Sequence, residues 1–191
     1  MNPTTSTIVI VAIVFLIIGA ALGIQLYRRQ RTKLLRDRFG PEYERIVNEV
    51  GDQRHAESVL ESRLNHVKGL DIHPLSAEQV DRFTNEWKAT QAQFVDEPLA
   101  ALQKANRLIK EVMNAKGYPV DDFEQRAADI SVDYPELVAD YRGMHTIAVK
   151  GDTENVTTEE VRQAMIHGRA LFENLMRQDA EVADTPQKER M

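Results

Sequence analysis

The chain has 191 residues, of which 42% are hydrophobic and 28% are charged, with nine glycines and seven prolines. This composition is typical of a folded protein and excludes collagen-like and largely disordered chains. There is no cysteine, which excludes disulfides, thiolate nucleophiles and metal or iron–sulfur centres ligated by cysteine. The net charge of −6 is unevenly distributed, because residues 1–27 carry no charged side chain and residues 28–38 carry six basic ones.

The N-terminal region contains a long apolar run. Residues 8–27 include one polar amide, Gln25, and no charge. As a helix this run would be about 30 Å long, the hydrocarbon thickness of a bilayer. A cleaved signal peptide is the alternative, but it needs basic residues before a shorter apolar stretch, and residues 1–7 contain none. The run therefore predicts an uncleaved single-pass transmembrane helix over residues 8–27.

Basic residues follow this run and none precedes it. Lys and Arg close to a span stay on the cytoplasmic side. The pattern therefore predicts a cell-membrane protein with residues 1–7 outside, a basic juxtamembrane helix over 28–38 and a cytoplasmic C-terminal domain. The basic residues either only set this topology or also bind anionic lipid at the membrane surface. This basic cluster comprises Arg28, Arg29, Arg31, Lys33, Arg36 and Arg38.

Gly19 and Gly23 form a Gly-x-x-x-Gly spacing inside the apolar run. Two missing side chains on one helix face allow a second helix to approach closely. Glycine is also common in spanning helices that form no such contact. The spacing therefore indicates either a helix-dimer face or a glycine pair without a packing role.

Beyond residue 38 the apolar residues recur with helical spacing, and no useful strand alternation occurs. Two capping boxes, Ser76 to Gln79 and Thr157 to Glu160, indicate helix starts. The pattern predicts an all-α domain of about seven helices over residues 39–178, followed by a disordered tail over 179–191. The aromatic residues expected at its centre are Phe83, Trp87, Phe94, Tyr141 and Phe172.

Four sequence strings carry a resemblance to a known family. They are RFGPEY at 38–43, FVDEP at 94–98, YPVDDFEQRAADISVDYP at 118–135 and RALFE at 169–173. With them the chain resembles an uncharacterised bacterial family of single-span membrane proteins with a helical domain, over nearly all of residues 36–178. The resemblance implies a bacterial membrane-anchored helical protein and assigns no catalytic residue.

The motifs of common catalytic and metal sites are missing from the sequence. The Glu-x-x-His and His-Glu-x-x-His spacings of bundle metal sites do not occur, so we expect ordinary histidines, no metal site and no cofactor. Nucleophile-elbow, Ser-x-x-Lys and phosphate-loop motifs are absent as well, and the catalytic residues of any activity stay unknown. Nucleic-acid binding is disfavoured, because the chain outside residues 28–38 carries 18 basic and 29 acidic residues.

One charged cluster combines helical spacing with apolar neighbours. Asp122 precedes Arg126 by four residues and Asp129 follows it by three, so both carboxylates are expected on its helix face. Asp133 follows one turn later. Such a cluster is either a structural ion network with a partly buried arginine or a recognition site, and the structural alternative is favoured.

These observations predict a membrane-anchored helical interaction or scaffold module that binds another protein. The first alternative is a membrane-tethered hydrolase that uses carboxylate and histidine side chains, although a non-enzymatic role is favoured. The second is a helical domain that binds a small ligand. A polar pocket with paired His and acidic side chains would favour the enzyme, and a solid core with an apolar groove would favour the interaction module.

Overall fold

The computed structural model describes the backbone of residues 3–151 and 156–183, and the side chains of residues 15–151 and 156–177. The described residues form helices and no strand, so the all-α prediction is confirmed for them. The eight helices are α1 (Pro3–Phe39), α2 (Pro41–Val50), α3 (Gln53–Lys68), α4 (Ala77–Gln93), α5 (Pro98–Ala115), α6 (Phe123–Asp133), α7 (Val138–Lys150) and α8 (Thr158–Ala183).

Helix starts follow the local chemistry of the sequence. Ser76 caps α4 and forms the expected reciprocal pair with Gln79. Thr157 and Glu160 form the same pair before α8. Proline occupies the first turn of α2 and of α5, where its missing N–H leaves no unmade hydrogen bond. The tail predicted from residue 179 is helical up to Ala183, and residues 184–191 lie outside the described residues.

The predicted transmembrane helix is wrong for the part of the chain that the structure describes. α1 runs without interruption through residues 8–38, yet no helix among the described residues has enough length and apolarity to cross a membrane. The predicted single-pass topology and cell-membrane location both depended on this span, so both predictions are corrected as well. The side chains of residues 1–14 lie outside the described part.

Contacts divide the chain into unit 1 (Met1–Leu60) and unit 2 (Glu61–Met191), with the boundary inside α3. In unit 1 a buried carboxylate connects three helices. Oε1 of Glu57 on α3 accepts hydrogen bonds from the Thr32 hydroxyl of α1 (2.7 Å), the Tyr43 hydroxyl of α2 (3.0 Å) and the Gln53 side-chain amide of α3 (2.9 Å). This network fixes the start of α3 beside α1.

We expect the Glu57 network to make the chain sensitive to acid. Burial alone raises the pKa of the Glu57 carboxyl, but the hydrogen bonds from Thr32, Gln53 and Tyr43 outweigh burial, and the pKa is lowered below its ordinary value of 4.5. A lowered pKa in the folded state means that the ionised form stabilises the fold fully above pH 4.5 and less as the pH falls through the folded value. Replacing Glu57 with Gln should therefore reduce the loss of unfolding free energy below pH 4.5, as measured by urea titrations at several pH values.

The matched control for this prediction is Glu136→Gln. Glu136 is an exposed glutamate in the segment before α7, so its loss should leave the acid dependence of stability as in the wild type. If Glu57→Gln kept the wild-type acid dependence as well, the network would not stabilise the fold.

Unit 2 contains a continuous core built from α4 to α8. α5 packs against α4, α7 and α8, and α7 packs along α8. Trp87 stacks on Phe172 with 4.4 Å between ring centroids. Of the five aromatic residues expected at the centre, Phe83, Trp87, Tyr141 and Phe172 are buried, whereas Phe94 is partly buried at the edge of the core.

Candidate functional site

The arginine of the predicted charged cluster has different partners from those expected. Arg126 is buried on α6. Its Nε donates to the hydroxyl of Tyr141 on α7 at 3.1 Å, and its Nη1 donates to the Val120 carbonyl. The guanidinium also lies 5.7 Å from the Phe123 ring centroid. Arg126 is therefore held by a neutral hydroxyl, a backbone carbonyl and a ring face.

The three carboxylates of the predicted cluster lie in separate environments. Asp122 caps α6 by accepting from the Gln125 backbone N–H at 2.9 Å. Asp129 is fully buried and accepts from the Gln125 side-chain amide at 2.8 Å. Asp133 accepts from the Tyr118 hydroxyl at 2.7 Å. The spacing on α6 thus does not assemble these side chains into one site around Arg126.

Asp129 lies close to a histidine that the sequence did not connect with it. Its Oδ1 is 3.7 Å from Nε2 of the half-exposed His66 on α3, and its buried Oδ2 accepts no hydrogen bond within the described residues. Burial raises the pKa of the Asp129 carboxyl, against the opposing effects of Gln125, His66 and Arg63. A raised pKa favours the neutral acid, which reduces the energetic cost of burying this group.

His145 on α7 lies in the same region as Arg126. Its ring stacks on Phe123 with 3.7 Å between centroids, and its Nδ1 is 3.3 Å from the side-chain nitrogen of Asn106. Burial and the nearby Arg126 charge both lower the His145 pKa. These surroundings therefore favour the neutral form of the imidazole.

Unit 2 contains a groove of about 390 Å³ between α7 and α8, here called the α7/α8 groove. Small and aliphatic residues form much of its wall: Gly143 and Ile147 on α7, and Ala164 on α8. A Cβ built on Gly143 would meet no atom within 4 Å, so the missing side chain leaves the groove open. The other lining residues are Thr146, Glu159, Glu160, Gln163 and His167.

Polar groups mark the two ends of the α7/α8 groove. At one end His167 pairs with Asp140 through Nδ1 and Oδ1 at 2.7 Å. At the other end Glu159 accepts from Arg162, and this hydrogen bond is the main reason that its pKa is lowered to about 2. The adjacent Glu160 carboxylate accepts from the Thr157 hydroxyl at 2.6 Å, which lowers its pKa.

The basic cluster lies on the C-terminal half of α1 in unit 1. Four of its members, together with Gln25, Thr32 and Gln53, line a second groove of about 450 Å³, here called the basic groove. These four are Arg28, Arg29, Lys33 and Arg36. Arg31 and Arg38 also lie on α1 but do not line it. Gly19 and Gly23 precede the groove on α1, and a Cβ at either would meet no atom within 4 Å.

Sequence reasoning missed both grooves for the same reason. The α7/α8 groove is lined by residues of two helices, such as Ile147 of α7 and Ala164 of α8. The basic groove includes Gln53, which is distant in sequence from the basic residues. Spacing within one helix gives no signal for such pairs. Among the described residues, no three His, Asp or Glu side chains are placed to hold a metal ion together.

The comparisons with known proteins add no functional information. The chain matches no protein-family model, no curated protein and no solved structure. The resemblance to an uncharacterised bacterial family therefore stays a prediction.

Proposed function

We propose that the chain is a helical interaction module that binds a polypeptide segment of a partner protein in the α7/α8 groove. The observation that carries the proposal is an open, largely apolar groove beside a continuous core of buried side chains. Exposed apolar grooves between helices commonly receive the apolar face of a partner segment. Between Glu159 and His167 the groove follows α8 for about 12 Å, enough for two turns of a bound helix.

The charges around the groove favour a basic segment. Asp140, Glu159 and Glu160 supply three carboxylates, against the cations of Arg162 and, when protonated, His167. Residues 61–191 carry a formal net charge of −8, so the wider surface of unit 2 also attracts cationic partners. The occupant we infer is therefore an amphipathic helix with one or two aliphatic anchors and flanking Lys or Arg.

A designed peptide tests the proposal. The probe is a fluorescein-labelled helix of about 12 residues, with leucines on one face and lysines on the other. We expect its fluorescence anisotropy to rise when the full chain is added, and the affinity to fall at least about tenfold in Gly143→Leu. This substitution places a large side chain in the groove, and the Cβ that it adds at Gly143 meets no atom within 4 Å.

The control variant is Asn85→Leu, which adds the same side chain at an exposed site on α4 outside the groove. It should bind the peptide like the wild type. Equal binding of the peptide by wild type and Gly143→Leu would contradict the proposal. A matched Leu/Glu peptide, with glutamates in place of the lysines, should bind more weakly than this Leu/Lys peptide, and equally strong binding would also contradict the proposal.

A hydrolase is the second candidate, and one specific contact favours it. Because Asp140 binds Nδ1 of His167 at 2.7 Å, the Nε2 atom is the one left to accept a proton from water. The groove lining offers one hydroxyl, that of Thr146, and it already donates to the Arg142 carbonyl. The described lining thus supplies a base for activating water but no poised side-chain nucleophile, which is why the interaction module is preferred. Hydrolysis of p-nitrophenyl acetate that is lost in His167→Ala and kept in Asn85→Leu would favour the enzyme instead.

A further inference from the structure

The basic groove of unit 1 has a regular arrangement of cations. Its lining residues on α1 recur at intervals of three and four positions, from Gln25 through Thr32 to Arg36, so they share one helix face. From Arg28 to Arg36 this face extends over about 12 Å. The groove therefore presents a row of basic side chains along its length.

Three of these cations have no acidic partner in the part of the chain that the structure describes. Within the described residues no carboxylate pairs with Arg28, Arg29 or Lys33, all of which are exposed. Arg36 is engaged, since it bonds Glu44 at 2.8 Å and lies 5.2 Å from the Tyr43 ring centroid. Three adjacent uncompensated charges repel one another, and a bound anion would relieve that repulsion.

The opposite wall of the groove is fixed in place. Gln53 lies at the start of α3 and donates to Glu57, which also accepts from Thr32. Both Gln53 and Thr32 line the groove, so the Glu57 network holds its two walls together. The donors from Thr32, Tyr43 and Gln53 all point to one oxygen of Glu57. The shape of the groove is thus set before any ligand binds.

We propose that the basic groove binds a ligand that carries phosphate groups. Arginine guanidinium groups bind phosphate oxygens through paired N–H donors, and lysine adds a point charge. Two arginines and one lysine spread along about 7.5 Å of α1 suit two or more linked phosphates better than a single one. The same chemistry is offered by soluble polyphosphate compounds and by the phosphodiester headgroups of anionic lipids. This ligand site is separate from the α7/α8 groove and independent of the function proposed for it.

Two probes distinguish the sources of phosphate. The first is inorganic tripolyphosphate, titrated into the full chain by calorimetry. The second is a set of vesicles of phosphatidylglycerol and phosphatidylcholine, compared with phosphatidylcholine alone in a sedimentation assay. The groove variant combines Arg28→Gln, Arg29→Gln and Lys33→Gln. The matched control combines Lys104→Gln, Arg107→Gln and Lys110→Gln, which removes the same charge from three evenly spaced positions on α5.

We expect the groove variant to weaken binding at least about tenfold and the control to bind like the wild type. If tripolyphosphate binds the wild type and binds the groove variant more weakly, the proposal is supported and soluble phosphates are sufficient as ligands. If only the phosphatidylglycerol vesicles show this difference between wild type and groove variant, the proposal is supported and lipid headgroups are the source of the phosphate. Equal weakening in both variants would show a general charge effect and overturn the proposal, as would the failure of both probes to bind the wild type. Circular dichroism of both variants checks that the helices are retained.

Discussion

Replacing Gly117 with Ala should destabilise the protein by about 3 kcal/mol or more. Gly117 follows α5 with a φ of +96°, a left-handed conformation that an L side chain adopts only with strain. A Cβ at this position would lie 2.2 Å from the backbone carbonyl oxygen of Asp71. To remove this clash, the segment around Asp71 would have to move. The hydrogen bond from the His73 N–H to the Lys116 carbonyl (3.0 Å) holds that segment in place. Urea unfolding monitored by circular dichroism measures the loss.

Gly143→Ala is the internal control for this prediction. Gly143 lies inside α7, and a Cβ there meets no atom within 4 Å. Because alanine is the better helix former, the variant should gain about 0.5–1 kcal/mol of unfolding free energy. A loss below about 1 kcal/mol for Gly117→Ala would mean that the close approach to Asp71 does not exist in solution.

Replacing Arg126 with Ala should cost about 2–4 kcal/mol, since the buried Tyr141 hydroxyl and the Val120 carbonyl each lose a charged donor. The same change should raise the pKa of His145, because the Arg126 charge contributes to lowering it. Urea unfolding measures the first effect, and titration of the His145 ring protons by NMR measures the second. The two readouts together separate this arrangement from an ion network among the α6 carboxylates.

Arg107→Ala serves as the matched arginine substitution. Arg107 is exposed on α5, so its loss should change stability by no more than about 0.5 kcal/mol and leave the His145 titration as it is. Unchanged stability in Arg126→Ala would contradict the buried arrangement. If Arg126→Ala lost much stability but left the His145 pKa unchanged, the guanidinium would not lie near His145. This result would also contradict the buried arrangement.

The helical class and the helix starts were predictable because the signals are local. Capping boxes at Ser76 and Thr157 act within four residues, and apolar spacing predicts the buried face of each helix. The same local logic failed at Arg126. Spacing on α6 predicted Asp122 and Asp129 as the partners of this arginine, whereas its Nε donates to Tyr141 on the next helix. Helix packing determines such contacts, and one sequence does not specify it.

The N-terminal region shows a different limit of sequence reasoning. Hydropathy and flanking charge over residues 8–38 predicted a membrane span and its orientation, but no helix in the described part of the chain meets the requirement for crossing a bilayer. The basic residues nevertheless share a structural feature that charge counting alone did not indicate. Four of them line one groove, whose second wall is fixed by Glu57 through a network of three helices.

The most direct test of the proposed interaction module is NMR mapping of the Leu/Lys peptide on the isotope-labelled full chain. We predict that the largest amide shift changes fall on the two walls of the α7/α8 groove, at Gly143, Ile147 and Ala164, and disappear in Gly143→Leu. Shift changes scattered over the acidic surface of unit 2, with these three amides unaffected, would contradict the account.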